Sequence, residues 1–226
     1  MKKKIAILDI DGTVFRSSLL IRLLDILAFQ KVCSRKVHKD IMQIRSEWFN
    51  KKISYEQYQN KLVEVLKNNI AGIKQSTIKK YSKQLVKLQK SIYFNYTHKI
   101  IKKIKKDYIL VAVSGSLTET LEELNKYLKF DYIFGTHFEV KNGLYTGIIL
   151  DEPVKDKKSF IELFVKNNNL TLKDSIGIGD TDADIGMLEL VDNPTAFNPD
   201  LDLYEHAKKK KWEIVVERKN VIYKIN

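Results

Sequence analysis

The chain has 226 residues, of which 44% are hydrophobic, 30% are charged and only three are proline. This composition is typical of a globular protein and excludes the disordered and fibrous classes, and the length suits one domain or one domain with an insertion. The net charge of +12 comes from lysines spread along the whole chain, so we interpret it as a lysine-rich surface and do not expect a nucleic-acid partner.

The chain has too few cysteines and histidines for a disulfide, a thiolate cluster or a zinc-spaced histidine pair. The single cysteine, Cys33, excludes an internal disulfide and a thiolate cluster, and it suits the reducing cytoplasm, where we expect the protein to be. The four histidines form no zinc-spaced pair, so any metal would be bound mainly by oxygen, which favours Mg²⁺. The most apolar segment, residues 19–29, is interrupted by two charged residues, and no membrane partner is expected.

The first predicted element is a short strand that ends in two carboxylates. Residues 5–8 form a continuous apolar run, which is typical of a strand buried on both faces of a parallel sheet. Because side chains alternate along a strand, Asp9 and Asp11 are expected on the same side, and Gly12 lets the backbone turn. Ligands bind at this edge of an α/β sheet, which favours a metal or reaction site. The alternative is a hydrogen-bonded turn.

Residues 16–90 are predicted to form a helical cap inserted after this strand. They contain one glycine and no proline, and their apolar residues recur at helical spacing in three stripes. Ser54 followed by Gln57 has the form of a capping box at the start of the third helix. A simple crossover needs only one helix. The stripes are Leu20, Leu23, Leu24 and Leu27; Ile41, Ile44, Arg45 and Trp48; and Tyr55, Tyr58, Leu62, Val65 and Leu66.

A second buried run, residues 108–113, follows a helix predicted over residues 95–106. It ends in Ser-Gly-Ser at residues 114–116, so a hydroxyl and free backbone N–H groups would face the same edge as Asp9. The alternative is a helix cap in a common turn. Next come strand-like residues 130–135 and 138–140 and, after an Asn-Gly turn that predicts a hairpin, residues 144–149.

Charged residues next occur at two places: lysines at the start of a predicted helix, and acids directly after a third strand-like run. Lysines at the N-terminus of a helix oppose its dipole, which leaves an anionic partner as one interpretation, but solvated lysines are the favoured interpretation of each one. The third run, residues 175–179, is followed by three acids in one turn, whose spacing fits neither an EF-hand nor a dinucleotide fingerprint. Strand-like residues 194–197 and 214–216 are expected to close the sheet. The lysines are Lys155, Lys157 and Lys158, and the acids are Asp180, Asp182 and Asp184.

This order of elements predicts an α/β fold: a Rossmann-like parallel sheet flanked by helices, with an inserted helical cap and a small β-hairpin flap. We expect a catalytic core of residues 1–15 and 91–226 and a cap of residues 16–90.

Taken together, the motifs resemble the haloacid dehalogenase (HAD) superfamily, in particular its phosphoserine-phosphatase-like branch, subfamily IB. The resemblance covers nearly the whole chain and rests on four motifs in the right order. The spacing back from the fourth motif places the lysine of the third at Lys157, with Lys158 as the alternative. The other motifs are Asp9-Ile10-Asp11-Gly12-Thr13, Ser114 in Val113-Ser114-Gly115-Ser116, and Gly179-Asp180 with Asp184.

The resemblance implies a HAD-like core and a Mg²⁺-dependent phosphatase. Asp9 would be the nucleophile that forms an aspartyl-phosphate, and Asp11 would protonate the leaving oxygen and then activate water. Mg²⁺ would be bound by Asp9, the backbone carbonyl of Asp11 and Asp180. The phosphoryl oxygens would be held by Ser114, the Gly115 N–H and Lys157, and Asp184 would orient the metal ligands and Lys157.

The substrate implied is a small phosphorylated metabolite. In phosphoserine phosphatases a glutamate just after the first motif helps to recognise the amino acid, and the corresponding position here is Ser18. Phosphoserine is therefore not expected to be preferred. Arg16, Arg22 and Arg45, near an apolar cap mouth, would suit a larger or more acidic phosphate ester.

Three other functions share some of these features. Phosphoryl transfer to an acceptor other than water would use the same site and stays open. A signalling receiver domain also uses acids, a hydroxyl and a lysine, but it has no reason for a helical insertion after its first acids. A nucleic-acid-binding protein on an inactive hydrolase scaffold is disfavoured because the set of acids and lysine is intact.

Overall fold

A computed structural model of the chain describes residues 3–225, apart from the side chains of residues 55 and 56. Strand β1 (Lys3–Leu8) is followed by helices α1 (Leu19–Phe29), α2 (Arg35–Phe49), α3 (Tyr55–Asn69), α4 (Gln75–Gln89) and α5 (Asn95–Ile104). The rest of the chain forms β2 (Tyr108–Leu117), α6 (Thr118–Leu128), β3 (Tyr132–Lys141), β4 (Leu144–Asp151), α7 (Lys157–Asn167), β5 (Leu170–Gly179), α8 (Ile185–Leu188), β6 (Asn193–Phe197), α9 (Leu201–Lys210), β7 (Glu213–Arg218) and β8 (Val221–Ile225). Short 3-10 helices, Pro153–Asp156 and Asp182–Asp184, precede α7 and α8.

The strands form one sheet in the order β4-β3-β2-β1-β5-β6-β7-β8. All neighbouring pairs are parallel except β3 with β4 and β7 with β8. Leu8, the last residue of β1, pairs with Ala112 on one side and Ile178 on the other. The segments that follow these three residues therefore meet at one edge of the sheet. The predicted α/β fold with a helical insertion and a hairpin is confirmed.

Strand β1 is buried on both faces, as its continuous apolar run predicts. Ala6 and Leu8 belong to a core shared with helices α1, α3, α4 and α5, whereas Ile5 and Ile7 belong to a second core under α7, α8 and α9. Alternate side chains of one strand thus anchor helices on opposite faces of the sheet. The acids that follow β1 are fixed from both sides.

The helical segment leaves and rejoins the sheet at adjacent points. The N–H of Arg16 donates to the Ile92 carbonyl at 3.1 Å, and the N–H of Phe94 donates to the Val14 carbonyl at 3.1 Å. These contacts lie beside the predicted boundaries of the cap, residues 16–90, and the division into cap and core stays a prediction. The capping box of Ser54 and Gln57 is present.

Four helices fill this segment, one more than the three that the apolar stripes indicated. The additional helix, α4, buries four apolar residues between α1 and α6. The stripe position Tyr55 lies outside the described side chains. The four buried residues are Ile78, Tyr81, Leu85 and Val86.

Two sequence-based expectations about the second half were wrong. Residues 214–216 do not close the sheet, because the chain reverses at Lys219, whose φ is +58°, and adds β8 at the edge. Residues 132–135 and 138–140 do not form two strands but lie in the single strand β3, and residues 130 and 131 precede it. The predicted hairpin turn is present, with positive φ at Asn142 and Gly143.

None of the described helices combines the length and apolar character needed to span a membrane.

Candidate active site

Three acids and one lysine meet where β1 and β5 end. The Nζ of Lys157, the first residue of α7, lies 2.7 Å from Oδ1 of Asp9 and 2.6 Å from Oδ1 of Asp184. Lys157 and Asp184 are buried, and Oδ2 of Asp184 accepts the N–H groups of Asp180 and Thr181. The lysine at the start of α7 therefore has two anionic partners, and the favoured interpretation of a solvated lysine was wrong at this position.

The carboxylate of Asp9 is buried and only half satisfied. Its Oδ2 has no hydrogen-bond partner among the described residues. Burial and repulsion from Asp184 and Asp11 raise the pKa of Asp9 to about 8, although attraction to Lys157 opposes the increase. Burial alone would lower the pKa of Lys157, but Asp184 and Asp9 raise it, so the ammonium stays charged. An unpaired buried carboxylate oxygen is costly, which indicates that a cation or a reacting group belongs beside it.

Asp180 completes a cluster of carboxylates of the kind that binds a divalent cation. One oxygen from each of Asp9, Asp180 and Asp184 lies within 4.8 Å of the others. Burial and repulsion from Asp9 raise the pKa of Asp180 well above its ordinary value. The Thr13 hydroxyl donates to Oδ1 of Asp180 at 2.9 Å, and a Cβ on Gly12 would lie 1.9 Å from Oδ2. These oxygen donors suit a hard cation such as Mg²⁺.

Asp11 is oriented by residues from two other elements. Its Oδ2 accepts the hydroxyls of Ser114 and Ser116, each at 2.7 Å, and its Oδ1 accepts the N–H of Leu19 at 2.5 Å. Burial raises the pKa of Asp11, and these hydrogen bonds oppose the increase. Leu19 is the first residue of α1. The second acid of the first motif is thus held by the sheet and by the helical segment together.

The acids open into a cavity of about 770 Å³ between the sheet edge and the helical segment. Gly115 lies in its wall, where a side chain at this position would come within 3.6 Å of Val154. The face of α3 that lines the cavity mixes amide, apolar and charged groups. Residues of the helical segment in the wall are Ser18, Leu20, Ile21, Ser54, Gln59, Asn60, Val63, Glu64 and Lys67.

Comparison with known proteins identifies the family. The sequence profile of the haloacid dehalogenase-like hydrolases matches residues 6–189 of the chain. The chain belongs to this family. It is 25% identical over 222 residues to the phosphoserine phosphatase of Methanocaldococcus jannaschii, and the match covers 97% of this chain and 95% of that protein.

Solved structures share the fold of this HAD-like hydrolase. A protein of unknown function from Bordetella pertussis Tohama I superposes with a TM-score of 0.74 at 18% identity, covering 95% of this chain and 98% of the other. A phosphoserine phosphatase in its apo form superposes with a TM-score of 0.65 at 22% identity, covering 97% and 96%. The predicted resemblance to the phosphoserine-phosphatase-like branch is confirmed.

Each of the three lysines in the cavity wall already lies against a carboxylate. Lys67, on α3, has its Nζ 3.2 Å from Glu152 and 3.3 Å from Glu64, and the Nζ of Lys155 is 2.8 Å from Glu152. The third, Lys157, pairs with acids of the first and fourth motifs. Lys158, the alternative to Lys157, is half exposed, with its Nζ 3.9 Å from Glu189.

The arginines proposed for a more acidic ester lie outside the described wall of the cavity. Arg45 pairs with Asp25 at 2.5 Å, and the guanidinium of Arg16 lies over the ring of Phe94. Arg22 donates to a neighbouring serine. None of these three arginines is among the described residues of the cavity wall, and a larger or more acidic ester stays a prediction without them.

Several residues that shape the site were not singled out from the sequence. Thr13 fixes Asp180, Ser116 fixes Asp11, and Gly179 leaves room for Asp184, whose Cγ would be 2.4 Å from an added Cβ. All three residues, Thr13, Ser116 and Gly179, lie inside the quoted motifs, so their position was the available signal. The contact of Glu152 with Lys67 could not be predicted, because the two residues are distant in sequence, although Glu152 also pairs with the nearby Lys155.

Proposed function

We propose that this HAD-like hydrolase is a Mg²⁺-dependent phosphomonoester hydrolase that acts through an aspartyl-phosphate on a small phosphorylated metabolite. The observation that supports this most directly is the pairing of Lys157 with Asp9, whose other carboxylate oxygen is buried and unpartnered. A buried carboxylate beside a permanent cation and a second acid is suited to take a phosphoryl group and release it again.

In the first step, a carboxylate oxygen of Asp9 attacks phosphorus while the bond from phosphorus to the leaving oxygen breaks. Asp11 gives its proton to that oxygen, so that the alcohol leaves neutral. In the second step, Asp11 takes a proton from water, the water oxygen attacks phosphorus, and the bond to Asp9 breaks. The hydrogen bonds that orient Asp11 support both roles, because proton transfer needs a fixed geometry.

The oxygen donors of the site fit Mg²⁺. Asp9, Asp180 and the backbone carbonyl of Asp11 would hold the ion, which when bound neutralises charge between the carboxylates and the phosphate. Asp184 is proposed to stay outside the ligand set, because its two oxygens already accept Lys157 and two backbone N–H groups. It would instead hold Lys157 in place.

The phosphoryl oxygens would be bound by the Ser114 hydroxyl, the Gly115 N–H and the Lys157 ammonium. Gly115 lies in the cavity wall between the two serines, and Lys157 is within 2.7 Å of the proposed nucleophile. Donors fixed before the reaction stabilise the charge of the transition state, and removal of one such donor typically costs about 3 kcal/mol.

The substrate is proposed to lack a carboxylate next to its phosphate ester. A carboxylate in the cavity would compete with Glu152 for Lys67 and Lys155. Ser18, in the place of the family's substrate-recognising glutamate, is a helix cap whose hydroxyl accepts the N–H of Ile21. Phosphoserine, the substrate named in the relatives' descriptions, is therefore expected to be a poor substrate here.

A screen of phosphomonoesters with Mg²⁺ and with chelator, repeated on Asp9→Asn, tests the proposal. Release of phosphate that requires Mg²⁺ and is lost in Asp9→Asn is the expected result. Hydrolysis that persists in Asp9→Asn would contradict it, as would phosphoserine turnover far above that of other esters. Transfer to an acceptor other than water would use the same residues, and it is detected as alcohol released in excess of free phosphate.

A further inference from the structure

Ser116 is a buried residue of the cavity that the proposed mechanism does not use. Its hydroxyl lies 2.7 Å from Oδ2 of Asp11, the same oxygen that accepts the hydroxyl of Ser114. Both serines are 1% exposed or less. The other oxygen of Asp11 accepts only the N–H of Leu19 among the described contacts. Asp11 therefore depends on the two serines for the position of Oδ2.

Ser114 cannot serve Asp11 and a phosphoryl oxygen at the same time, because a hydroxyl has one proton to donate. When Ser114 turns to the phosphoryl group, Asp11 loses that hydrogen bond. The N–H of Ser116 donates to Oγ of Ser114 at 3.0 Å, so the backbone of Ser116 continues to hold Ser114. Asp11 is then left with the Ser116 hydroxyl on Oδ2 and the Leu19 N–H on Oδ1.

We propose that Ser116 is the positioning residue of Asp11, and that its hydroxyl keeps the carboxyl group aligned while Ser114 binds the phosphoryl group. This inference rests on the proposed function. Without the Ser116 hydroxyl, the carboxyl group would be held at Oδ1 alone and would turn about its Cβ–Cγ bond. A catalytic group must be held to within about 0.5 Å of its productive position.

The choice of leaving group separates the positioning of Asp11 from a general contribution of Ser116 to stability. Only the positioning role makes the loss of activity depend on the ester. The Asp11 proton goes to the leaving oxygen as its bond to phosphorus breaks and the bond from Asp9 forms. An alkoxide is a poor leaving group and needs that proton, whereas p-nitrophenolate leaves readily without it. Loss of alignment at Asp11 therefore slows alkyl esters more than p-nitrophenyl esters.

The experiment compares kcat/KM of wild type and Ser116→Ala for propyl phosphate, phenyl phosphate and p-nitrophenyl phosphate with saturating Mg²⁺. This parameter covers the steps up to release of the alcohol. We expect a loss of about tenfold or more for propyl phosphate and of about threefold or less for p-nitrophenyl phosphate, with phenyl phosphate between. Ser116→Thr, which keeps the hydroxyl, is expected to restore the wild-type ratio.

Two further variants keep the test decisive. Ser116→Cys matches serine in size but is a weak donor, so it gives the same ester-dependent loss if the alanine variant does not fold. Ser82→Ala removes another fully buried hydroxyl, one that contacts Thr120 and lies outside the cavity wall, and it should leave the ratio of the esters unchanged.

An equal loss on all three esters, or none, would overturn the role of Ser116. A weaker inhibition by inorganic phosphate in Ser116→Ala would overturn it as well, because it would assign the hydroxyl to phosphoryl binding. Failure of the proposed function would look different, since wild type itself would then show no hydrolysis that Asp9→Asn abolishes.

Discussion

A Cβ atom added to Gly12 would lie 1.9 Å from Oδ2 of Asp180. The carboxylate of Asp180 thus occupies the space that any larger residue at position 12 would fill, and the backbone there has φ +90°, which favours glycine. The first motif needs this glycine for the approach of the fourth motif as well as for its own turn.

Gly12→Ala is expected to displace Asp180 and weaken Mg²⁺ binding about tenfold or more, with a matching loss of activity at low Mg²⁺. A titration of activity against Mg²⁺ measures this. Gly143→Ala is the matched control, because Gly143 has φ +77° and no atom within 4 Å of an added Cβ. It should show only the backbone cost of about 1 kcal/mol and normal Mg²⁺ dependence. Equal Mg²⁺ affinity in the two variants would contradict the prediction that a side chain at position 12 displaces Asp180.

Lys157→Met is expected to reduce activity at least 100-fold and to lower the free energy of unfolding by about 3 kcal/mol in metal-free protein near neutral pH. The reason is that Asp184 would stay buried with no cation and that Asp9 would lose its hydrogen bond from Lys157. Denaturant unfolding with chelator and steady-state kinetics measure the two effects. Lys158→Met, at a half-exposed position, should change stability by less than about 0.5 kcal/mol. A loss of activity confined to Lys158→Met would show that Lys158, and not Lys157, is the lysine of the third motif.

The stability of the metal-free protein is expected to fall as pH rises from about 4 to about 8. Folded Asp9 has a pKa raised from 3.8 to about 8, so it keeps a proton that the unfolded chain has released, and each rise in pH across this window favours unfolding. Asp11 and Asp180 shift in the same direction. The melting temperature in chelator, followed across this window, measures the slope.

Two comparisons test whether the carboxylates of the site cause this fall in stability with pH. Asp9→Asn does not titrate, so its melting temperature should vary less with pH than that of wild type. Added Mg²⁺ binds the ionised carboxylates and should raise the melting temperature most at the upper end of the window. A slope that is the same in wild type and Asp9→Asn would mean that other groups cause it.

Glu152→Gln is expected to release Lys67 and Lys155 for a substrate carboxylate. The ratio of kcat/KM for phosphoserine to that for p-nitrophenyl phosphate should rise about fivefold, which corresponds to about 1 kcal/mol. Glu123→Gln is the control, because Glu123 pairs with Lys126 on the surface. An unchanged ratio in Glu152→Gln would show that these lysines do not reach the leaving group.

Much of the site could be predicted because its residues directly follow buried strands. Asp9, Ser114 and Asp180 each come after an apolar run, and parallel strands bring such positions to one edge. Lys157 was found by the family's spacing back from the fourth motif, because its place at the start of a helix did not distinguish it from Lys155 and Lys158. The structure brings all of them together at that edge, and their catalytic and metal-binding roles stay predictions.

What the sequence did not reveal depends on contacts between distant segments or on exposed elements. Glu152 and Lys67 meet because β4 ends near α3, and their local pairs with Lys155 and Glu64 give no sign of this contact. Strand β8 was missed because most of it is exposed at the sheet edge, which leaves no buried run to recognise. Ser116 looked like part of an ordinary turn until its distance to Asp11 was known.

The central position of β1 has a consequence for local opening of the protein. Its amides are covered by β2 on one side, by β5 on the other and by a core on each face. Hydrogen exchange should therefore be slowest in these three strands and faster in β8 and in the surface turns of helices α1 to α4. The backbone of β1 that carries Asp9 would then persist through local unfolding events that detach the helices above it, whereas Asp11 would lose its hydrogen bond from the Leu19 N–H of α1.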